Sequence, residues 1–468
     1  MRFKKLLYCL SFLPISFISV SQNTPIPDAN FEQALIDLGH DAAPINGFVP
    51  TINISTVTSL DVVNKNILDL GGIEDFTALT ILNCSENALA NLNISQNINL
   101  VELYVFDNQL MNLDITPLIN LKIFWCHNNQ LSNLNVTQNT NLISLVCSNN
   151  NLTRLDSSNN TSLNVFVCEQ NQITTLDVTN NLTLNRFQCG DNLLSNLDIS
   201  QNPNLSYVSC EQNEISSLNT RNNKFLNTLF CFENQLTELD LSENRALTNL
   251  NCSNNNLCSL NVKNGNNNNI ALMDFRSNPN LNCVVVDNSN GDHSIWEPLS
   301  FLNYVNTADG CKDFVPVDTL NDFIGSTYTL PIIGNGSYFS ESGANGIPLN
   351  SGDVISTSQT IYIYNETTCY NNESSFNVLI TDKDYYIPKY FTPNNDGRHD
   401  FWKVLDSSNS VKSISIFNKY GKLLKYLDPN SEGWNGTYNG QLMPTDDYWF
   451  SIALNSGEIT TGHFALKR

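Results

Sequence analysis

The chain repeats itself every 21 residues over about half of its length. Two series of residues follow this period, and asparagine stands three residues after every member of the first series. The first, the cysteine ladder, is Cys84, Val105, Cys126, Cys147, Cys168, Cys189, Cys210, Cys231 and Cys252. The second, the asparagine ladder, is Asn87, Asn108, Asn129, Asn150, Asn171, Asn192, Asn213, Asn234 and Asn255. Such a period is typical of a solenoid, because one turn cannot bury its apolar side chains without its neighbours.

Leucine or a close substitute fills the slots around the two ladders. One turn has the order Leu142, Leu145, Cys147, Asn150, Leu152 and Leu155. This Leu-x-x-Leu-x-Cys-x-x-Asn-x-Leu pattern resembles the leucine-rich repeat family, which implies one short strand per turn in a parallel sheet. An asparagine at each bend can bond backbone groups that the turning chain leaves unpaired. We therefore predict a mainly β chain whose solenoid, with its C-terminal cap, spans residues 57–311.

Thirteen cysteines would ordinarily suggest a disulfide framework if the chain is exported. The eight ladder cysteines instead occupy the inward slot where such repeats carry leucine, which predicts reduced, buried thiols. Metal ligation is disfavoured, because metal sites cluster Cys or His on a few turns. Beyond the ladder, Cys283 and Cys311 are predicted to form a disulfide, and Cys258 and Cys369 have no obvious partner. We predict no metal and no cofactor.

The N-terminus carries export features. Residues 1–21 begin with Arg2, Lys4 and Lys5, continue with an apolar run and end in small residues, which predicts a secretory signal peptide. No later stretch is long and apolar enough to span a bilayer, so no transmembrane segment is expected after signal removal. Residues 22–56 are predicted to form a helical cap. Its helix should start after Asp28 and should bury Phe31, Leu35 and Leu38.

Acidic residues dominate the charge of the chain. The net charge is -22, and removal of three basic residues with residues 1–21 leaves 20 Lys and Arg against 45 Asp and Glu, or -25. An excess of this size favours solubility and repels nucleic acid, so nucleic acid is not an expected partner.

The C-terminal third loses the 21-residue period. Residues 312–383 contain short strand-like runs separated by Gly, Asn and Ser, which predicts an Ig-like β spacer domain without chemistry of its own. Residues 384–468 contain five short motifs in order, with strand-like runs and turns between them. Trp434 and Trp449 are expected in the core of this domain. The motif residues are Phe391, Pro393, Asn394, Asp396, Gly397, Tyr420, Gly421, Trp434, Gly436 and Lys467.

These motifs resemble the gliding-motility-associated C-terminal domain, the type B sorting domain of the type IX secretion system in Bacteroidetes. The resemblance implies a β-sandwich that addresses the protein across the outer membrane, to the cell surface or the medium. It also implies the type IX secretion machinery as a partner. A calcium loop is an alternative for residues 394–400, although the first and last acidic ligands of a hand-type loop are missing and a tight turn explains the residues as well.

Aromatic residues flank the cysteine ladder at positions that should point away from the core, because side chains alternate along a strand. They form two groups on the predicted concave face, Tyr104, Phe106, Trp125 and His127 in the first and Tyr207, Phe230 and Phe232 in the second. Grouped, exposed aromatics are typical of recognition surfaces, although they can also merely shield the backbone. We therefore predict an adhesin-like protein that binds an extracellular protein or glycan.

Two other functions compete with this prediction. The solenoid could pack against copies of itself as a structural or motility-associated surface component. An enzyme with a site in the spacer domain is disfavoured, because the motifs of nucleophilic hydrolases, zinc proteases and phosphate-binding loops are missing. No catalytic residue is predicted.

Overall fold

The computed structural model describes residues 22–381, 385–394, 399–406 and 409–468. The predicted signal peptide, and Asp396 and Gly397 of the predicted sorting motif, lie outside the described residues. The chain divides into two compact units, one ending at Ala308 and one spanning Asp309 to Arg468. Within the described part of the chain, no helix has the length and apolar character needed to cross a membrane.

A small cap precedes the solenoid. Strand Asn23–Pro25 pairs antiparallel with Phe48–Pro50, and two helices span Ala29–Asp37 and Thr51–Ile54. Asp28 caps the first helix as predicted, since its Oδ1 accepts hydrogen bonds from the backbone N–H groups of Asn30 and Phe31. Phe31 is buried, but the prediction for Leu38 is wrong. Leu38 is 47% exposed because the helix ends at Asp37 and the buried face does not continue beyond it.

The solenoid is built on one parallel sheet of eleven strands, which confirms the predicted fold class. Each strand is three residues long and pairs in register with the strand of the next turn, as Leu103 does with Phe124. The strands are Ser59–Asp61, Ile81–Asn83, Glu102–Tyr104, Ile123–Trp125, Ser144–Val146, Val165–Val167, Arg186–Gln188, Tyr207–Ser209, Thr228–Phe230, Asn249–Asn251 and Leu272–Asp274. The steps from Ile81 to Asn249 are all 21 residues long, and this constant period keeps the register, because each turn presents the same edge to the next.

The cysteine ladder lies inside the solenoid. All eight ladder cysteines are free thiols and fully buried, as predicted. Burial disfavours the charged thiolate and raises the pKa of both Cys84 and Cys147 to about 12. These thiols therefore pack as small apolar side chains.

The asparagine ladder joins adjacent turns. The Nδ2 of Asn150 donates to the carbonyl oxygens of Cys126 and Cys147, each at 3.1 Å, and its Oδ1 accepts from the N–H of Leu131 at 3.0 Å. The residue before it, Asn149, has a φ of 50°, a left-handed conformation that the other turns repeat. Each ladder amide thus satisfies backbone groups at a sharp bend.

A second parallel sheet closes the C-terminal end of the first unit. Its strands are Glu238–Asp240, Ser259–Asn261, Val284–Val285 and Tyr304–Val305. Cys258, Cys283, Cys311 and Cys369 are each disulfide-bonded, so the expectation that Cys258 and Cys369 have no partner is wrong. The pairing of Cys283 with Cys311 stays a prediction. A disulfide depends on the distance between the two Cα atoms and on the directions of the two side chains in the folded chain, which sequence spacing does not reveal.

The second unit holds two hydrophobic cores. The first surrounds Ile361 and Phe376. Its five-stranded sheet runs in the order Phe323–Gly325, Asn371–Ile380, Gln359–Glu366, Ser337–Phe339 and Pro348–Leu349, and a two-stranded sheet pairs Tyr328–Thr329 with Val354–Ile355.

The second core is aromatic, with the rings of Trp402 and Phe464 stacked 3.9 Å apart. Its sheet runs in the order Tyr390–Phe391, Ile459–Leu466, Asp446–Leu454, Val411–Phe417 and Leu423–Leu427. Trp434 is buried as predicted, but Trp449 is 41% exposed. Strand alternation explains the error, because Tyr448 and Phe450 take the inward positions on either side of Trp449.

Candidate functional site

One side of the main sheet faces solvent, and we call it the strand face. Each turn contributes three residues to it. Counted from the member of the cysteine ladder in that turn, they stand three residues before it, one residue before it and one residue after it. In the turn of Val105 they are Glu102, Tyr104 and Phe106. The residues between them, such as Leu103 and Val105, point into the core. The predicted aromatic residues all lie on the strand face and are half-buried there.

The first patch consists of Tyr104, Phe106, Trp125 and His127. The rings of Tyr104 and Trp125 meet edge to face with centroids 5.2 Å apart, and Phe106 stacks on His127 at 4.5 Å. The Tyr104 hydroxyl donates to Glu102 at 2.8 Å, and the indole N–H of Trp125 donates to the Ser144 hydroxyl at 3.1 Å. These contacts fix the ring orientations before any ligand arrives.

Titration in the first patch follows from its partial burial. Desolvation, together with the neighbouring Glu102 carboxylate, raises the pKa of Tyr104 to about 12. Desolvation also lowers the pKa of His127, against the smaller opposing effect of Asp107. Both rings are therefore neutral near pH 7, and the patch is an uncharged aromatic surface.

The second patch consists of Tyr207, Phe230 and Phe232. The rings of Tyr207 and Phe230 meet edge to face at 5.9 Å, and the guanidinium carbon of Arg186 lies 4.4 Å from the Tyr207 centroid. This cation–π contact places the Arg186 guanidinium beside the Tyr207 ring.

Aliphatic residues on the strand face extend from the first patch toward the second, and the sequence analysis did not single them out. Val146 and Val167 continue the row of Tyr104 and Trp125, while Ile123 and Val165 lie in the parallel row two residues upstream. The same strand alternation that identified the aromatics assigns these residues outward positions.

A polar network lies beside the second patch. The amide of Gln188 donates to Glu169 at 2.7 Å and accepts from Arg186 Nε, while the Ser209 hydroxyl donates to Glu211. Burial and the nearby Glu211 carboxylate raise the pKa of Glu169. The strand face therefore combines an apolar strip with one charged segment.

The strand face is long enough for an extended ligand. Six strand-to-strand steps separate Glu102–Tyr104 from Thr228–Phe230. At about 4.8 Å per step, the outer edges of the two patches lie about 29 Å apart. Their facing edges, on Ile123–Trp125 and Tyr207–Ser209, are four steps or about 19 Å apart. A ligand that touches both must be a macromolecule or a long oligomer.

The motif residues of the second unit mostly support its core. Phe391 is buried and lies 5.6 Å from the Trp434 ring. Gly436 has a φ of 77°, and a Cβ there would come within 2.8 Å of the Leu466 side chain, so only glycine fits. Two motif residues, Tyr420 (83% exposed) and Lys467, lie at the surface.

The remaining motif residues form turns. Gly421 has a φ of 78° after Asn418, whose backbone oxygen accepts the Gly421 N–H. The N–H of Asn394, which follows Pro393, donates to the Thr392 oxygen and to Asp400 Oδ1. No group of three or more His, Cys, Asp or Glu residues that could hold a metal ion occurs in the described ranges.

Together, the in-register parallel sheet and the two ladders define the first unit as a leucine-rich-repeat β-solenoid. Residues 385–466 match the family described as the CHU_C Type IX secretion signal domain, which confirms the predicted sorting domain. A search of curated proteins returned no match.

Several solved structures resemble the chain. A functional domain of InlJ from Listeria monocytogenes, described as including a cysteine ladder, is 22% identical over 76% of this chain and 99% of its own, with a TM-score of 0.36. The internalin InlF from Listeria monocytogenes is 20% identical over 62% of this chain and 99% of its own, with a TM-score of 0.40. YopM from Yersinia enterocolitica is 26% identical over 45% and 47%, with a TM-score of 0.36.

Proposed function

We propose that this protein is exported across the outer membrane through its type IX signal domain and then binds an extracellular protein or glycan through the strand face. The two parts rest on separate observations. Export rests on the family match of residues 385–466, and binding rests on the composition of the strand face.

The observation that carries the binding proposal is the first patch. Four half-buried rings pack in two contacting pairs, and their orientations are held by Glu102 and Ser144. The same positions one turn earlier hold Asn83 and Ser85. Rigid aromatic anchors lose little conformational entropy on binding, so they add affinity at low cost.

The aliphatic residues between the patches extend this surface. An apolar strip that starts at the first patch, followed by a polar segment and a second aromatic group, fits an interface with a folded protein or a long polysaccharide better than a small molecule. Adhesion to another cell or to a polymer would follow from such binding at the cell surface.

Binding of the full mature protein to arrayed glycans and extracellular proteins tests this proposal. The variant carries Tyr104→Ser, Phe106→Ser and Trp125→Ser, and the matched control is Phe225→Ser. Phe225 is 64% exposed but lies outside the strands of the main sheet. We expect a ligand that binds the wild type and the control but not the folded triple variant.

Two results would count against the proposal. Equal binding by wild type and triple variant would place the ligand elsewhere. Concentration-dependent self-association that is lost in the triple variant, without any foreign ligand, would favour the structural surface component instead.

A further inference from the structure

A second candidate surface lies in the second unit, at a cleft of about 390 Å³. Strands and loops on both sides of the predicted spacer boundary contribute to it. It is lined by Asp322, Asn377, Leu379, Tyr386, Pro388, Lys389, Tyr390, His399, Phe401, Lys403 and Leu405. Pro388, Lys389 and Tyr390 directly precede Phe391, a buried residue of the sorting-domain motifs.

Exposed apolar side chains line part of the cleft. Tyr390 is 45% exposed and Phe401 is 44% exposed, although both are large side chains that a stable fold usually covers. The neighbouring Trp402 is fully buried, and its indole N–H donates to the Pro388 oxygen at 2.8 Å. This bond ties two walls of the cleft together, so the exposed rings are held on a fixed scaffold.

Lysine side chains lie among and beside the apolar residues of the cleft. Lys389, Lys403 and His399 line the cleft, and the Lys467 ammonium lies 4.8 Å from the Tyr390 ring centroid. Asp322 is the acidic residue of the lining, and its carboxylate accepts from the N–H of Asn377 at 2.6 Å and from its side-chain amide. The cleft therefore combines exposed aromatic rings with Lys389, Lys403 and the adjacent Lys467, and we call these three lysines its basic rim.

This basic rim contrasts with the rest of the chain. Residues 385–468 contain nine Lys and Arg and eight Asp and Glu, whereas residues 22–384 contain eleven and thirty-seven. The acidic excess of residues 22–384 repels an acidic partner. A partner with acidic groups is therefore attracted selectively to the C-terminal domain.

We propose that this cleft is the docking site for an apolar side chain flanked by acidic groups on a protein of the type IX secretion machinery. A secretion signal domain has to be recognised by that machinery, and the cleft provides both a pocket for an apolar anchor and cations that orient an acidic partner. The inference rests on the secretion signal domain and is independent of what the strand face binds.

Export from the producing cells tests the proposal. Two cleft variants of the full chain are compared with wild type, Tyr390→Ser with Phe401→Ser, and Lys389→Glu with Lys403→Glu. The control changes Tyr426→Ser and Lys425→Glu, since Tyr426 is 63% exposed on strand Leu423–Leu427 and neither residue lines the cleft. Thermal unfolding of each purified chain establishes that it folds.

We expect both folded cleft variants to reach the surface or medium at least about tenfold less than wild type, and the control to be exported normally. Normal export of the folded cleft variants would overturn the proposal. Equal loss in the control would also overturn it, because recognition would then not be specific to the cleft.

A photo-crosslinking residue at Phe401, with the same residue at Tyr426 as the control, identifies the occupant. We expect an adduct with an outer-membrane component of the secretion machinery from position 401 alone. An adduct with a second copy of this chain would assign the cleft to self-association and would overturn the proposal.

Discussion

The hydroxyl of Thr220 donates a hydrogen bond to the side-chain Oδ1 of Asn244, 2.8 Å away and 24 residues later in the chain. Both side chains are buried. Ser157 donates to Asn181 in the same way at 3.0 Å. Asn181 and Asn244 belong to a second internal asparagine ladder, whose amide groups donate to backbone oxygens of earlier turns. Its members are Asn97, Asn139, Asn160, Asn181, Asn202, Asn223 and Asn244.

Most turns of this second ladder lack the hydroxyl. Val178 occupies the position equivalent to Thr220, 24 residues before Asn202. The Oδ1 of Asn202 has no hydrogen-bond partner among the described residues. The Oδ1 atoms of Asn97, Asn139, Asn160 and Asn223 also have no hydrogen-bond partner among the described residues. A buried acceptor without a partner lowers stability.

Exchange of valine and threonine tests this relationship. We expect Thr220→Val to lower the free energy of unfolding by about 1–2 kcal/mol, because it leaves the Asn244 oxygen without its donor at nearly constant volume. Val178→Thr should supply a donor to Asn202 and should not destabilise the protein. Urea unfolding of both variants measures the effect. A Thr220→Val variant as stable as wild type would show that its hydrogen bond contributes nothing.

Loss of one amide from the asparagine ladder should lower the free energy of unfolding more than Thr220→Val does. Asn150→Leu removes the donor to the Cys126 and Cys147 oxygens and the acceptor for Leu131, so we expect a loss of about 3 kcal/mol. The control is Asn141→Ala, since Asn141 is exposed and makes a single bond to the Ile119 oxygen. Equal unfolding free energies for the two variants would contradict a structural role for the ladder.

The ladder thiols should be chemically inert in the folded protein. Burial raises the pKa of Cys147 to about 12, so little thiolate forms at pH 8, and no reagent reaches the sulfur. We expect no reaction with a thiol-specific dye under native conditions and eight reactive ladder thiols in denaturant. Rapid labelling of the folded chain would contradict this packing.

The sequence predicted the repeating part of the fold well, because one period determines both the register and the inward positions. It did not indicate the second asparagine ladder, since Leu118 interrupts its spacing between Asn97 and Asn139. Val146 and Val167 were missed because valine outside the core is not conspicuous. The cleft beside Tyr390 depends on contacts between distant segments such as Asp322 and Lys403, which no local pattern reveals.

Acid should lower the free energy of unfolding of the solenoid by protonating carboxylates such as Asp177, which accept hydrogen bonds within their own turn. Asp177 accepts from the Thr179 hydroxyl at 2.7 Å and from the Thr179 N–H at 2.9 Å, and these bonds lower the pKa of Asp177 below its ordinary value of 3.8. A lowered folded-state pKa gives stability that is present above the unfolded value and is lost as the pH falls through the folded value. We expect wild-type stability to fall below about pH 4, and less steeply in Asp177→Asn. Identical pH profiles in urea unfolding would refute this origin.

The most direct test of the central claim is the dissociation constant of a partner recovered with the wild-type protein, measured by calorimetry for Trp125→Ser and Trp125→Phe. Trp125 lies at the centre of the first patch, in contact with Tyr104 and Ser144. The account predicts about a tenfold or larger increase in Kd for Trp125→Ser and a smaller one for Trp125→Phe, which keeps an aromatic ring. An unchanged Kd in the folded Trp125→Ser variant would contradict recognition through the strand face.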